Sequence, residues 1–560
     1  MISATSILGS FDIARRALTA HQTTLDTIGH NLANVNTPGY SRQRAELAAT
    51  SPRLGVDVQT ITRARDRFLD LSLLNEQQML GRDRTQDSVL QRLESVFNDP
   101  PDTGLSATLD QLFQSLQALS VTPTDQVARA AVVDQAQRLT ATLHDMRARV
   151  DQLQSDITSD IQAKVTSANS LMTQIADANR QIVASQGGPA PNDILDRRDG
   201  LITQLNDLVG VTATDRADGS VQLAMTGSGV LLVDGLTVAP LVVTHDVVTD
   251  TVNLTAGAAA TAVAPTRGAL GALVDLRNRP TGPVKQAMSD LDAFAQAVAT
   301  EVNRVHTQGA GLTEFGTLTA VNAASGAAVP LATAGLPDTL VDGTFDVVVH
   351  DAAGAVTAMA TIPITAGTTT LDDVATALAA VPGLSTSVTS GRLTITAAPG
   401  STFAFAKDTA HALSALGLNT FFSGTSAATL AVTPLIAGDP SKIAASLTDA
   451  SGLVHPGDGT NALALARLRT GLVMSGTMSF TDFFAAAVGR VGSATRDAAQ
   501  ELDRQQAAVQ VVQGMQQQTS GVSIDEEMIS LTQSQTAYAA AARFATTVND
   551  LLATLLAMGT

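Results

Sequence analysis

The chain has 560 residues, and its 34 Lys and Arg against 52 Asp and Glu give a formal net charge of −18. This charge argues against a nucleic-acid groove or an anionic membrane surface as the main partner, so no nucleic-acid partner is predicted. Only 3% of the residues are aromatic, and Trp and Cys are absent, which excludes disulfides and thiolate metal sites and leaves few aromatic residues for a small-molecule pocket.

The first predicted element is a long N-terminal helix with heptad spacing. Apolar or small residues recur in alternating steps of four and three, the pattern of a coiled-coil seam. The seam consists of Ile7, Phe11, Ala14, Leu18, His21, Leu25, Ile28, Leu32 and Val35.

Asparagines and a turn mark the end of this helix. Asn31, Asn34 and Asn36 weaken the last turn, because the Asn side chain competes for nearby backbone groups. Pro38 then ends the helix, and Pro38-Gly39 fits the central positions of a type II turn, since Gly tolerates positive φ.

The middle of the chain combines long helices with short strands. Helical stripes at residues 139–182 and 484–512 favour coiled-coil packing, and a further helix is predicted at 284–306. Val- and Thr-rich runs flank Asp218-Gly219, a strong hairpin signal. Similar strand patterns occupy residues 344–364 and 385–405, with a short helix predicted at 371–381 between them.

The C-terminal element mirrors the N-terminal one. Ser523 and Glu526 have the spacing of a capping box, in which each side chain satisfies a backbone donor of the first helical turn. Gln535 and Asn549 interrupt the apolar stripe that follows. The stripe consists of Ile524, Met528, Leu531, Tyr538, Ala542, Ala545, Leu552 and Leu556.

These patterns predict an α+β multidomain fold, in which the terminal helices form a coiled-coil stalk and β-rich domains are inserted between them. The predicted divisions are a terminal helical domain (1–50 plus 518–560), a helical bundle (51–210 plus 267–311 plus 455–517), a β-rich segment (211–266) and a β-rich inserted outer domain (312–454). The N-terminus lacks the basic start and apolar core of a cleaved signal peptide. No apolar run reaches the ~20 residues of a spanning helix, so membrane insertion is not predicted.

No sequence motif for catalysis or metal binding stands out. The eight His residues show no HExxH spacing, and GxSxG, P-loop and complete GxGxxG patterns are absent. The charged run from Asp196 to Gly200 favours a solvated, ion-paired helix face over an acid–base site, because it falls on an amphipathic helix. No catalytic residue, metal site or cofactor is predicted, and an enzyme is disfavoured.

The two terminal stripes allow two interpretations. They close on each other in an intramolecular hairpin, or they become fully buried only against neighbouring subunits. The second interpretation is favoured, because a single pair of helices buries one side of each helix and leaves the other side exposed to solvent. Each half-exposed Leu, Ile or Phe then forgoes part of the ~1.5–3 kcal/mol that full burial provides.

Both ends of the chain resemble the signatures of bacterial flagellar axial proteins, the rod, hook and hook-associated proteins. The N-terminal resemblance covers residues 6–44, and its most specific part is the Asn-rich helix end with Thr37, Pro38, Gly39 and Tyr40. The C-terminal resemblance covers residues 526–556, with matches that include Glu527, Met528, Gln535, Tyr538 and Arg543. Interior stretches at 93–119, 194–211 and 415–425 are similar to the hook-associated proteins that join hook to filament, whereas residues 312–410 match least.

The resemblance implies a structural subunit of the bacterial flagellum at the hook–filament junction, on the outside of the cell. The implied partners are other copies in a homo-oligomeric ring, the hook protein, the second hook–filament junction protein and a dedicated export chaperone at the C-terminal region. The flagellar export apparatus would secrete such a chain without a cleaved signal.

The resemblance also implies the residues of assembly and subunit contact. They are Ile7, Phe11, Leu18, Leu25, Ile28, Asn31, Leu32, Asn34, Val35, Asn36, Pro38, Gly39, Tyr40, Met528, Leu531, Gln535, Tyr538, Arg543, Leu552 and Leu556. Whether the asparagines satisfy open helix carbonyls or bond to neighbouring subunits stays open at this point. Two alternatives are a surface coiled-coil adhesin and an axial scaffold that carries a wall hydrolase.

Overall fold

A computed structural model describes the backbone of residues 4–37, 39–50, 55–185 and 191–558, and the side chains of these residues except those of 4–8, 555 and 558. The helices are α1 (Ala4–Ala33), α2 (Arg67–Val96), α3 (Leu105–Val121), α4 (Gln126–Ala184), α5 (Asn192–Val209), α6 (Gly268–Asn278), α7 (Pro283–His306), α8 (Leu371–Ala379), α9 (Ala412–Leu416), α10 (Pro434–Gly438), α11 (Thr460–Arg467), α12 (Phe480–Ser520) and α13 (Ile524–Met558). Short 3₁₀ helices lie at Leu331–Thr333 and Pro440–Lys442.

The strands of the described residues are short and pair in antiparallel fashion. They are β1 (Gln43–Ala49), β2 (Val56–Arg63), β3 (Val211–Asp215), β4 (Val221–Met225), β5 (Leu231–Asp234), β6 (Thr237–Val238), β7 (Leu241–Asp246), β8 (Thr251–Ala256), β9 (Thr261–Val263), β10 (Thr317–Thr319), β11 (Gly343–His350), β12 (Val356–Ile364), β13 (Leu384–Thr389), β14 (Arg392–Ala397), β15 (Thr402–Ala406), β16 (Phe422–Ser423) and β17 (Ala431–Val432).

The chain divides into two compact units. The first comprises Met1–Val89, Asp156–Gly282 and Arg496–Thr560, and the second comprises Leu90–Ser155 and Pro283–Thr495. Helices α2, α4 and α12 contribute residues to both units. The finer division into four domains stays a prediction.

The first unit contains both chain ends. Helix α1 packs against α13 and against the β1–β2 hairpin. Two further sheets follow α5 in the sequence, with strand orders β3-β4-β5-β6 and β7-β8-β9. Along α4, alternating steps of three and four residues bring Ile161, Val165, Ala168, Met172 and Ile175 to the buried side, as helical packing requires.

The second unit has a helical part and a β-rich part. In the helical part, Phe97 stacks on Phe484 and Phe113 on Phe480, with ring centroids 6.4 and 6.1 Å apart. The β-rich part has two three-stranded sheets, β12-β11-β15 and β10-β14-β13. These sheets and α8 enclose a core whose members include Phe345, Leu371, Leu393, Phe403 and Phe405.

Most of the local sequence predictions are confirmed. Helices occur at the predicted positions around residues 284–306 and 371–381, and β3 and β4 form the hairpin predicted at Asp218-Gly219, with Gly219 at φ +78°. The mixed α+β multidomain fold class is confirmed as well. Among the described helices, none has the length and hydropathy needed to span a bilayer.

Candidate functional site

The turn after α1 has the predicted geometry. The Tyr40 amide donates to the Thr37 carbonyl at 3.2 Å, and Gly39 has φ +81°, as the third position of a type II turn requires. Pro38 itself lies outside the described residues. Helix α1 ends at Ala33, so Val35 lies beyond the helix and not on its seam, which corrects the predicted helix end.

Asn34 explains why the helix ends early. Its Nδ2 donates to the His30 carbonyl at 2.9 Å, and its Oδ1 accepts a hydrogen bond from the Thr37 hydroxyl at 3.1 Å. The side chain therefore satisfies a carbonyl at the helix end and stabilises the turn that follows. Asn36, in contrast, is exposed.

Asn31 is the central residue of the site. It is 1% exposed, and its amide group makes two hydrogen bonds with the Gln43 backbone, Nδ2 to the carbonyl at 2.8 Å and Oδ1 from the amide at 2.9 Å. This pairing imitates a neighbouring strand and positions the first residue of β1. The Tyr40 hydroxyl donates to the same Oδ1 at 2.9 Å, so the turn and the hairpin are both held by one side chain of α1.

The same site joins the two ends of the chain. Asn31 Nδ2 lies 3.1 Å from Glu527 Oε2, and Arg42 Nε donates to Glu527 Oε1 at 2.7 Å. Arg42 also pairs with Glu526 at 2.7 Å, and its backbone amide donates to the Ser520 carbonyl at 3.0 Å. We call Asn31, Tyr40, Arg42, Gln43, Glu526 and Glu527 the terminal junction. It holds the C-terminal end of α1 at the N-terminal end of α13, so the two helices are antiparallel.

The capping box predicted at the start of α13 is half formed. The Ser523 hydroxyl accepts a hydrogen bond from the Glu526 amide at 3.5 Å. The Glu526 carboxylate, which completes the predicted box, pairs with Arg42. Arg42, which is distant in the sequence, thus pairs with the Glu526 carboxylate that the local sequence predicts as part of the helix cap.

The electrostatics of the junction are set by burial and by acidic neighbours. Burial, and then the negative charges of Asp196, Asp193 and Glu527, raise the pKa of Tyr40 to about 12. The phenol is therefore protonated at neutral pH and serves as a hydrogen-bond donor to Asn31.

Helix α5 supports the junction from one side. Asp196 accepts hydrogen bonds from the Ser41 amide at 3.3 Å and from Arg63 at 2.7 Å, and Asp199 pairs with Arg63 at 2.8 Å and with Arg65. The predicted ion pairing of this helix is therefore confirmed. The predicted solvation is wrong at Arg198, which is 4% exposed and donates to the Gly219 carbonyl at 2.9 Å, because the β3–β4 turn packs over it.

The predicted contact residues of α1 differ in exposure. Ala14 and Ile28 are buried, Leu18, Leu25, Leu32 and Val35 are half-buried, and Phe11 is exposed. The side chain of Ile7 lies outside the described residues. One side of the predicted seam thus packs within the chain and the other side meets solvent.

On α13 the buried face differs from the predicted stripe. Buried or half-buried residues recur every seven positions at Glu527, Ser534, Ala541 and Val548. Of the predicted contact residues, Leu531 and Leu552 are half-buried, and Met528, Gln535, Tyr538, Arg543 and Leu556 are exposed. Small residues allow close approach to α1, so the larger side chains of the stripe lie at the edge of the contact.

Large apolar side chains of α13 also lie on the other side of the face that contacts α1. Ile529, Phe544 and Leu551 are 60%, 45% and 54% exposed. At 3.6 residues per turn they lie on the side opposite to Ile524 and Met528, which are exposed too. Helix α13 therefore presents apolar surface on both sides of its contact with α1.

Sequence reasoning missed the long-range partners in this site. Glu527 belongs to the C-terminal signature, but its contacts with Asn31 and Arg42 were not predicted, and neither were those of Asp196 and Arg63. The available signals were the acidic first turn of α13 and the basic residues that follow the Thr37–Tyr40 turn. Charge complementarity alone does not select among the 34 basic residues of the chain.

Family models match three segments of the chain. The "flagellar hook-associated protein FlgK helical domain" matches residues 90–318, the "flagella basal body rod protein" model matches 11–40, and the "flagellar basal body rod FlgEFG protein C-terminal" model matches 509–558. The two rod models thus cover most of α1 with its turn, the end of α12 and all of α13.

Curated relatives carry the name flagellar hook-associated protein 1. The chain is 32% identical to that of Bacillus subtilis over 39% of this chain and 46% of the relative, and 30% identical to that of Salmonella typhimurium over 53% and 56%. These two matches span about half the length of the relatives. The protein of Escherichia coli is 25% identical over 97% of this chain and 98% of its own.

A solved structure shows the same fold. The flagellar hook junction protein FlgK from Burkholderia pseudomallei is 17% identical, covers 81% of this chain with all of its own length, and superposes with a TM-score of 0.53. The family model of the helical domain, the curated relatives and this solved structure all carry the names of hook-associated or hook junction proteins. In these segments and in its fold, the chain is similar to the flagellar hook-associated protein 1 family.

Proposed function

We propose that this chain is a structural subunit of the bacterial flagellum, which forms the junction between hook and filament by axial packing of α1 and α13. The observation that carries the proposal is the surface of α13. This helix is fixed at one end by the terminal junction, yet its large apolar residues on both flanks meet solvent.

Burial of these side chains contributes to the driving force for assembly. Ile529, Phe544, Leu551 and Leu556 are each between 45% and 65% exposed. Complete burial of a Leu, Ile or Phe side chain contributes ~1.5–3 kcal/mol, so covering half of each provides several kcal/mol per subunit. Exposed apolar patches of this kind are typical of protein interaction sites.

The proposed partners follow from this geometry and from the names of the relatives. Copies of the chain form a ring whose terminal helices cover one another, with the hook protein on one side and the second hook–filament junction protein on the other. A dedicated chaperone covers the C-terminal region before export. The assembled protein is extracellular, in the flagellum, and its role requires neither catalysis nor a cofactor.

The test replaces two exposed residues of α13 with charges. We expect the double variant Phe544→Asp and Leu551→Asp to abolish filament attachment and motility, because two buried carboxylates per subunit oppose packing. A matched control, Val121→Asp and Val127→Asp, makes the same change at residues that are 75% and 77% exposed outside the terminal helices.

Both variants are expected to stay folded, which circular dichroism of the purified chains checks. The control is expected to retain filaments in electron micrographs and motility in soft agar. Normal filaments on cells that carry the Phe544→Asp and Leu551→Asp variant would refute axial packing through α13. The adhesin and hydrolase alternatives have no support among the flagellar relatives named above.

A further inference from the structure

An open groove lies on the helical surface of the first unit. Helices α2, α4, α5 and α12 line it, and the volume between them is about 830 Å³. Half-buried leucines from three of these helices, Leu80, Leu171 and Leu208, form its apolar wall. Along α4 the lining runs from Thr166 to Gln174, a length of about 12 Å at ~1.5 Å per residue, so the groove is as long as two turns of a helix.

One carboxylate in this groove has no close cation. Asp207 is half-buried, and among the described residues none donates a hydrogen bond to its carboxylate or forms a salt bridge with it. Its oxygens are not among the enclosed polar atoms of the described chain, so the groove gives access to them. Burial raises the pKa of Asp207, and the more distant charges of Arg84 and Lys164 oppose this shift. A cation that enters the groove therefore gains an ion pair in partly desolvated surroundings, where the attraction is stronger than at an open surface.

Helix α13 carries a complementary set of groups. Arg543 is the one Lys or Arg between Ile524 and Met558, it is exposed, and in the described part of the chain no carboxylate forms a salt bridge with it. The exposed Phe544 follows it, and Leu551 lies seven residues further along the same side of the helix. Seven residues span about 10 Å of helix axis, which fits within the groove. Within the ranges that the structure describes, no residue of α13 lines the groove, so the groove is not filled by the helix of the same chain.

The charges of the two surfaces match in pairs. On α13, the exposed Asp550 lies seven positions after Arg543, so a cation and an anion share one edge of the apolar ridge. The groove supplies the opposite charges, the carboxylate of Asp207 and the exposed guanidinium of Arg84. A helix that lays its apolar ridge against the leucines therefore brings one charge of each sign beside the charges of the groove.

We propose that α13 of a second copy of the chain docks in this groove, with Phe544 and Leu551 against the three leucines. Arg543 of the docked helix pairs with Asp207. The contact is heterologous, since the helix and the groove are different surfaces, and a heterologous contact closes into a ring when the rotation between copies allows it. This inference rests on the proposed function and goes further, because it names the surface that receives one flank of α13.

The test is cysteine cross-linking in intact flagella, which the absence of native Cys makes specific. The variant combines Thr547→Cys, which lies between Phe544 and Leu551 on the docked side of α13, with Ser170→Cys, an exposed residue of the groove. A short bismaleimide is expected to join subunits into dimers and higher multimers of the 57.5 kDa chain on a denaturing gel. The control pairs Thr547→Cys with Val121→Cys, which is 75% exposed outside the groove, and is expected to stay monomeric.

Charge variants of the cross-linking chain test the ion pair. Asp207→Asn and Arg543→Gln are each expected to lower the cross-linked fraction at least threefold, and the two together no further, because both remove the same pair. The matched control Asp503→Asn removes an exposed carboxylate of α12 outside the groove and is expected to change the fraction less than twofold. If Asp207→Asn does not fold, Arg543→Gln decides by itself, since it changes an exposed side chain.

Three results would overturn the docking. They are a cross-linked fraction no greater than that of the Val121→Cys control, links that mass spectrometry finds only within one chain, and a fraction unchanged by Arg543→Gln. If one of them occurs while Phe544→Asp with Leu551→Asp still abolishes filament attachment, axial packing through α13 stands and the groove alone is rejected. Normal filaments in the latter variant would instead reject the proposed function.

Discussion

At the scale of single residues, buried polar side chains connect distant parts of the chain. Asn31 has both a donor and an acceptor, so one side chain pairs with the Gln43 backbone as a strand would. The other hydrogen bonds of the Asn31 side chain, with Tyr40 and Glu527, hold the turn and the C-terminal helix against α1. A hydrophobic residue at this position would remove the hydrogen-bond partner of the Gln43 backbone groups and of the Tyr40 hydroxyl, and would leave Glu527 with Arg42 alone.

Replacement of Asn31 by Ala is expected to destabilise the terminal region by about 2 kcal/mol, because Gln43 and Glu527 lose buried hydrogen bonds. Both tyrosines of the chain, Tyr40 and Tyr538, lie in this region, and there is no Trp. Urea unfolding followed by tyrosine fluorescence therefore reports on it selectively. The control Asn36→Ala, at an exposed position, is expected to stay within about 0.5 kcal/mol of the unmodified chain. Equal unfolding midpoints for the two variants would contradict the central role of Asn31.

At the scale of secondary-structure elements, the ends of α1 and α13 are determined by different forces. Asn34 and the type II turn end α1 through local hydrogen bonds. At the start of α13, Glu526 and Glu527 pair with Arg42. Their negative charges also interact favourably with the positive end of the helix dipole. A helix end built on local contacts is predictable from sequence, and one built on a distant cation is not.

Two glycines near this turn are expected to respond to the same substitution with opposite sign. A Cβ added at Gly29 or at Gly39 meets no atom within 4 Å. The effect of an alanine on stability therefore depends only on the backbone conformation at each position. Gly29→Ala, inside α1, is expected to stabilise the helix by about 0.5–1 kcal/mol. Gly39→Ala, at φ +81°, is expected to destabilise the turn by about 1–2 kcal/mol. Tyrosine fluorescence during urea unfolding checks both, and shifts of the same sign would show that the turn does not need its positive φ.

At the scale of the whole molecule, the two units differ in what they contribute. The first unit contains the terminal helices, the junction and the groove beside Asp207. The second unit contains large, well-packed cores and a fully buried histidine. His306 accepts a hydrogen bond from the Ala444 amide at 2.9 Å, and its other ring nitrogen lies 2.8 Å from the Asn419 carbonyl, so the ring is neutral and joins three segments.

The buried histidine makes stability depend on pH. Burial lowers the pKa of His306 to about 4, whereas in the unfolded chain it is about 6.5. Between these values the unfolded state binds more protons, so the free energy of unfolding falls as the pH decreases from about 6.5 to 4, by about 3 kcal/mol from this group. Above the unfolded pKa the contribution is complete.

The variant His306→Gln is expected to flatten that dependence. Chemical denaturation followed by far-ultraviolet circular dichroism at pH 7, 5.5 and 4.5 measures it, and the difference from the unmodified chain removes the contribution of the carboxylates. His30→Gln, at an exposed position of α1, is the control and is expected to keep the original slope. Parallel curves for all three chains would show that His306 titrates as it does when unfolded.

The sequence by itself determined the local structure and the resemblance to a family. Hydrophobic periodicity predicts the helices, because one face of each must be buried at 3.6 residues per turn, and Asp218-Gly219 and Pro38-Gly39 predict their turns, because few residues adopt the required φ. The two terminal signatures predicted a flagellar axial protein. These features depend on neighbours along the chain, which the sequence shows directly.

Only the tertiary structure decided which surfaces meet. Asn31 and Glu527 are 496 positions apart, and no local pattern distinguishes that pairing from the other acidic candidates. Helix α13 has apolar residues on several sides, so its periodicity does not select the small-residue face that packs on α1. Likewise, α5 alone does not show that Arg198 is covered by the β3–β4 turn, because burial of a charge depends on the shape of a distant surface and on the partners it supplies.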